Sequence, residues 1–384
     1  LVPAKDMPTY DVIILGTGGV GSAAAYHLAR RGAKVLGLDR FPAGHDRGSS
    51  HGETRIIRQA YFEHPDYVPL LLRAYELWRG LEQECGVDLL HQVGLLQVGP
   101  PDGAVVRGVL QSAVQHGLSV ESLSAGEVER RWPGFRVPAS MTGVFEAAAG
   151  YLRVERCVLA HLAAAKVHGA EFRFGSAVAA RRSAANAVEV VTDAGQTYRA
   201  AKLIITAGPW APALFAHLPI KLQPRRKHLY WFRADDTIYH QDTGCPTFLY
   251  ELTHGVYYGF PQIDSLGVKV AEHSGGQAVA DPLNDPRALD PADLARVEAF
   301  LCAHLPGVSN SLQRHSVCFY TMSPDEHFIV DRDPRDHNYL FAAGLSGHGF
   351  KFTSVLGEAL ADLALDGTTS LPVEFLRLNR LLAS

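Results

Sequence analysis

The sequence predicts an α/β protein in which a parallel-sheet domain is interleaved with an antiparallel-sheet domain. Three observations carry this. An apolar run at the start leads through a glycine-rich turn into a helical stretch and a second apolar run, the order of a βαβ unit. Apolar runs of the same kind return at 203–210 and 339–343. Between them, and above all over 221–275, the chain alternates and is rich in aromatic residues, which suits antiparallel strands.

Taken in order, residues 10–15 (YDVIIL) read as a buried parallel strand. SAAAYHLARRG reads as a helix with Gly32 as its stop, and Lys34–Leu38 as a second strand ending on Asp39. Over 66–84, Val68, Leu71, Leu72, Tyr75 and Trp78 recur at helical spacing. HQVGLLQVG reads as short antiparallel strands, and Ser124 with Glu127 as a capping box. Residues 153–168 read as a helix, with strands following up to LIITAGPW. Asp290-Pro291 opens a helix with Leu294, Val297, Leu301 and Leu305 on one face. The strand YLFAA, a glycine-rich turn and a helix from about 350 to 365 close the chain. The expected partition is 1–90, 151–220 and 323–384 for the parallel domain, and 91–150 with 221–322 for the antiparallel one.

Composition narrows the function. The 384 residues carry a net charge of -4 and no basic block, which argues against nucleic acid and anionic membrane surfaces as partners. No apolar stretch reaches 18 residues free of charge. The N-terminus lacks a hydrophobic secretory core, and Met7 reads as the natural start. The five cysteines, Cys85, Cys157, Cys245, Cys302 and Cys318, are odd in number and hold no CxxC pair. A disulfide framework and a metal site are therefore not expected; most should be small buried residues, in a reducing cytoplasm.

Gly16, Gly18 and Gly21 match G-x-G-x-x-G, with Gly19 and Val20 completing the loop. The first glycine permits the tight turn, the second lets backbone approach a pyrophosphate, and the third lets helix and strand pack closely. Asp39, followed by Arg40, ends the next strand, where an acid accepts from ribose hydroxyls. This is the start of a Rossmann-type domain. Only one such fingerprint is present. Either NAD is the sole cofactor, or FAD is reduced directly by an organic substrate.

The segment Gly48-Ser49-Ser50-His51-Gly52-Glu53-Thr54-Arg55-Ile56-Ile57-Arg58-Gln59-Ala60-Tyr61 decides between them. It resembles the flavin-contacting segment of the monomeric sarcosine oxidase and N-methyltryptophan oxidase family. VYYGFP at 256–261, GVKVAEH at 267–273, VCFYTMSPDEHFIVD at 317–331 and AAGLSGHGFKF at 342–352 resemble that family's motifs in its order. The resemblance implies a Rossmann-type FAD-binding domain and an antiparallel substrate domain. It also implies oxidation of an N-methyl amino acid by molecular oxygen to formaldehyde, amino acid and hydrogen peroxide, in a monomer. Rival readings are an oxidase of cyclic secondary amino acids such as pipecolate or proline, a flavin dehydrogenase using another acceptor, and a non-catalytic dinucleotide-binding regulator.

The resemblance also assigns roles. Ser49, Ser50, Thr54 and Arg55 fall beside the flavin, as do Ala207, Gly208 and Trp210. Gly344, Gly347 and Gly349 let backbone approach a flat ring, with His348 on the flavin side. Arg58 and Lys351 hold the substrate carboxylate, which a guanidinium grips with two parallel hydrogen bonds. Lys351 is also expected beside the flavin; as a cation opening the last helix it runs against the dipole and calls for a bound anion, which the substrate carboxylate supplies. Lys269 activates oxygen, and alternation places Lys269, Ala271 and His273 on one face, looking into one cavity. Tyr258, Tyr320 and Leu249 wall the pocket. Cys318 falls where the family attaches FAD through a thioether.

Overall fold

The computed structural model describes residues 9–184 and 187–382; the expected start at Met7 lies outside them. The strand Thr9–Leu15 is the middle of an eight-stranded sheet. It pairs in parallel with Val35–Leu38 on one side and with Thr197–Ile205 on the other. Asp336–Ala343 adds a further parallel strand beside Thr197–Ile205 and carries Ile329–Asp333 as an antiparallel neighbour. The expected strand YLFAA is thus the inner end of a longer hairpin.

The helix Gly19–Arg30 is buried from Gly19 through Ala29. Small residues make this possible. A Cβ at Gly357, on the helix Thr353–Leu365, would lie 2.5 Å from the Ala23 Cβ, so the two helices touch almost backbone to backbone.

A second eight-stranded sheet runs from Val308–Met322 through Gln223–Ala234, Val268–Glu272, Gly255–Phe260 and Thr247–Leu252 to Leu95–Gly99, Thr142–Glu146 and Glu121–Ser124. It is not wholly antiparallel: Thr247–Leu252 and Leu95–Gly99 run parallel, because a long excursion rather than a hairpin joins them. One face packs Tyr250, Tyr257 and Phe232 against the helix Pro291–His304. The other face carries Trp231, Leu249, Tyr258, Ala271, Cys318 and Tyr320, packed with Ile56 and Ala60. A three-stranded sheet of Thr54–Ile57, Gly150–Arg153 and Leu90–His91 sits at the junction.

Both expected caps form: Ser124 and Glu127 exchange capping-box bonds, and Asp290 accepts from Ala292 and Asp293. Some details differ from expectation. In the helix Val68–Cys85, Leu70, Ala74 and Leu81 join the buried face, while Leu72, one residue round from Leu71, is exposed. Leu294 is only half-buried. Lys351 lies in a 3-10 turn, Phe350–Phe352, ahead of the last helix and not in its first turn. Among the cysteines, Cys157, Cys245 and Cys318 are buried, but Cys302 is exposed. No helix among the described residues is long and apolar enough to cross a membrane.

Candidate active site

Two adjoining cavities lie between the sheets. The larger encloses about 340 Å³. Gly16, Gly18, Gly19 and Val20 form one wall, with Asp39 and Arg40 at the end of the second strand. Ser49, Ser50, Arg55, Ala207, Gly208 and Trp210 line it further, and Gly344, Gly347 and Gly349 close the far side.

The shape of this cavity follows from its glycines. Gly16 has φ +91, and a Cβ there would strike the Thr206 carbonyl at 2.6 Å. At Gly18 a Cβ would meet only the Ser50 hydroxyl, at 3.5 Å, so the backbone is open to the cavity. Gly21 is off the cavity wall. A Cβ there would lie 1.9 Å from the Gly16 carbonyl, so this glycine lets helix and strand meet. The helix beyond has no acidic residue in its first turn, leaving its positive end to an anion. The Asp39 carboxylate accepts from Thr17 N at 2.7 Å, Thr17 Oγ1 at 2.9 Å and Phe41 N at 3.0 Å. A carboxylate has about four lone-pair sites, so one more donor can be accepted. The buried Trp210 Nε1 has no partner within the described residues. These features fit a dinucleotide.

The smaller cavity encloses about 50 Å³ and shares Arg55, Tyr320, Gly347 and Phe350 with the larger. Arg58, Glu63, Leu249, Tyr258, His273, His348 and Lys351 complete it. Arg55 and Arg58 reach the same space because the strand ends at Ile57, and Arg58 no longer alternates with it. The Arg58 guanidinium is ion-paired with Glu63 and lies over the rings of Tyr61 at 4.5 Å and Phe62 at 4.4 Å. Its Nε is buried with no partner among the described residues. Burial works against the Arg58 charge, but Glu63 more than offsets it and raises the pKa. Burial likewise pushes Glu63 up, yet Arg58, His348 and Lys351 outweigh it and hold the carboxyl at about 2.

The remaining walls are neutral or short of counter-charge. Burial, then Lys227, lowers His273 to about 3; its Nδ1 lies 3.3 Å from the Tyr320 hydroxyl. Burial lowers His348 to about 4, and its ring nitrogens meet the Tyr61 hydroxyl at 2.6 Å and the Glu326 carbonyl at 3.0 Å. Burial also keeps the Tyr258 and Tyr320 hydroxyls protonated. Lys351 donates to the His348 carbonyl at 2.7 Å, and burial followed by the Arg58 charge pushes its pKa well below the ordinary lysine range. An anion entering beside Arg58 would restore that charge.

Besides Gly21, three expected site residues, Thr54, Lys269 and Cys318, stand off both cavities. Lys269 does not share His273's cavity, nor does it face solvent. Its ammonium is buried, donating to Gly52 O at 2.6 Å, Thr54 O at 2.8 Å and Thr54 Oγ1 at 3.1 Å, with the Phe260 ring at 4.6 Å. Thr54 is fully buried beneath that contact. Cys318 is fully buried on the sheet face that carries Tyr320, in register with Lys227.

The family model described as FAD dependent oxidoreductase (DAO) matches residues 11–363. The chain belongs to this family. The oxidoreductase is 40% identical over 375 residues to a monomeric sarcosine oxidase of Bacillus sp. (strain B-0618), covering 97% of this chain and 96% of that one. It is 42% identical over 373 residues to an N-methyl-L-tryptophan oxidase of Salmonella dublin, covering 97% and 99%. Among solved structures it is similar to NikD, an unusual amino acid oxidase essential for nikkomycin biosynthesis. There the TM-score is 0.84 and the identity 26%, over 96% of this chain and 97% of that one.

This FAD-dependent oxidoreductase also places residues in the small cavity that its sequence does not announce. Glu63 follows Arg58 by five positions, in a loop with no periodicity to betray a partner. Phe62 and Phe350 read as core aromatics, but Phe62 stacks on the guanidinium and Phe350 closes the wall between the cavities.

Proposed function

We propose that this oxidoreductase oxidises N-methyl amino acids with oxygen, releasing formaldehyde, the demethylated amino acid and hydrogen peroxide. The observation that carries the reading is the small cavity, where Arg58 and a charge-starved Lys351 converge beside the dinucleotide cavity. That is a seat for one small carboxylate. The names of the relatives, sarcosine oxidase and N-methyl-L-tryptophan oxidase, support the same reading. FAD, held by the walls of the larger cavity, would supply the two-electron acceptor.

The chain's own residues bind and orient. Arg58 turns its free Nε edge, and Lys351 its ammonium, to the substrate carboxylate. This fixes the methyl carbon toward the cavity shared with the cofactor, and positioning of this kind supplies a large part of a rate. Glu63 is committed to Arg58, and His273, Tyr258 and Tyr320 are neutral, so no free anion is left to hold the substrate amine charged. The reacting amine is therefore the uncharged one, and turnover rises with pH as it deprotonates. Leu249 limits the side chain admitted. Lys269 lies behind the Gly52–Thr54 backbone, where burial and then Arg55 push its pKa well below the ordinary lysine range; in its charged form its field would favour electron transfer to oxygen. Cys318, buried on the sheet face that carries Tyr320, would hold the flavin as a thioether. The protein works as a monomer in the cytoplasm.

The test is anaerobic mixing of the yellow protein with sarcosine, N-methyl-tryptophan, proline and pipecolate. Bleaching by an N-methyl amino acid, with formaldehyde and hydrogen peroxide released in air, is expected. Bleaching by the cyclic amino acids alone would overturn the substrate assignment.

A further inference from the structure

The strand that presents Arg55 ends at Ile57, so the peptide N–H groups after Arg58 have no strand to pair with. A carboxylate takes them. Glu146, at the end of Thr142–Glu146 in the large antiparallel sheet, accepts Gln59 N–H into Oε1 at 2.7 Å and Ala60 N–H into Oε2 at 3.2 Å. The side chain is 1% exposed, and its backbone is locked opposite Leu95. Both rings that lie against the Arg58 guanidinium, Tyr61 and Phe62, follow directly on the gripped peptides. The direction in which Arg58 leaves the strand, and the stack that holds it, therefore hang on one carboxylate contributed by the other sheet.

We propose that Glu146 is a positioning residue for substrate binding: it pins the turn after Arg58 and so keeps the guanidinium aimed into the small cavity. This rests on the reading that Arg58 holds the substrate carboxylate. The charges that face Glu146 fit the role. Burial raises its pKa to about 7, while the two N–H groups and then Arg58 draw it back down. The other neighbour is Tyr75, whose hydroxyl is held by the Ala148 carbonyl. Below about pH 7 the grip weakens as the carboxylate takes up a proton, and Arg58 loses its anchor.

The experiment uses the flavin-loaded holoenzyme with sarcosine as the probe, comparing Glu146→Ala, Glu146→Gln, Arg58→Met and the double variant Arg58→Met/Glu146→Ala. Glu146→Ala is expected to raise KM about tenfold with kcat within about threefold, the size of one lost charge-assisted hydrogen bond. In the Arg58→Met background the same change should add nothing. Should the alanine variant fail to fold, Glu146→Gln decides by pH. Wild-type KM rises as pH falls through about 7, while the glutamine variant's KM stays flat across that range. An unchanged KM in both Glu146 variants, a full effect that persists without Arg58, or a glutamine variant that keeps the wild-type pH limb overturns the proposal and leaves Arg58's role standing. If Arg58→Met itself leaves KM unchanged, the carboxylate reading falls, and this proposal with it.

Discussion

Arg58 and Lys351 are both cations of the small cavity, but they differ in what they lack. Arg58 has a counter-ion in Glu63 and a free Nε; Lys351 has carbonyl and hydroxyl oxygens only. Arg58→Lys keeps the charge but loses the fork and the stacking on Tyr61 and Phe62. Its KM for sarcosine should rise by more than about tenfold, since forked geometry and charge act together. A KM within twofold of wild type, in steady-state assays, would show that charge alone suffices. Cys318 gives the second residue-scale test. Cys318→Ser should leave FAD that acid precipitation releases into the supernatant, while the parent keeps its yellow colour in the pellet. How well the sequence announced these residues follows from geometry. Gly16 was legible because the tight turn leaves no room for a side chain, and Gly18 because a bare backbone must stay open to the cavity for a ligand to approach. Glu63 and Glu146 were not, because their work is defined by partners that only folding brings near.

At the scale of elements, the turn Gly344–Gly349 does more than admit a flat ring. Gly347 has φ +84, and a Cβ there would fall 2.3 Å from the Tyr320 ring, on the wall that both cavities share. Gly347→Ala should therefore disturb both sites at once, shifting the flavin absorption bands and raising KM. The left-handed backbone alone costs a non-glycine residue about 1 kcal/mol. A variant with unchanged spectrum and unchanged KM would mean the ring can move aside. The N-terminal βαβ unit and both helix caps were legible because their signals are local: periodicity, a capping pair, a proline after its cap. The parallel pairing of Thr247–Leu252 with Leu95–Gly99 was not, since nothing in TFLYEL or LLQVG taken alone marks the direction of its neighbour. Lys269 fell between these cases. Alternation gave its face correctly, but not that the face is sealed by the segment Gly52–Thr54.

Across the whole molecule, several histidines are buried and held neutral. Burial lowers His27 and His348 to about 4, and His51 and His273 to about 3. The unfolded chain takes up these protons from about pH 6.5 downward while the folded one does not, so stability falls as pH drops below that value. Each group contributes about 1.4 kcal/mol per pH unit in that window, against a typical total of roughly 5–15 kcal/mol. Melting temperature should drop steeply from about pH 6.5 to 5. A flat profile across that range would show that the histidines are solvated.

The sheet around Thr9–Leu15 has a consequence for how the protein is made. Leu15 aligns with Ile205, and Ile205 with Phe341. Thr9–Leu15 can pair early with Val35–Leu38, but its other edge waits for Thr197–Ile205, and that strand in turn for Asp336–Ala343, at about 5–20 residues per second a delay of tens of seconds. Truncation anywhere before Ala343 would leave the cradle without its far wall.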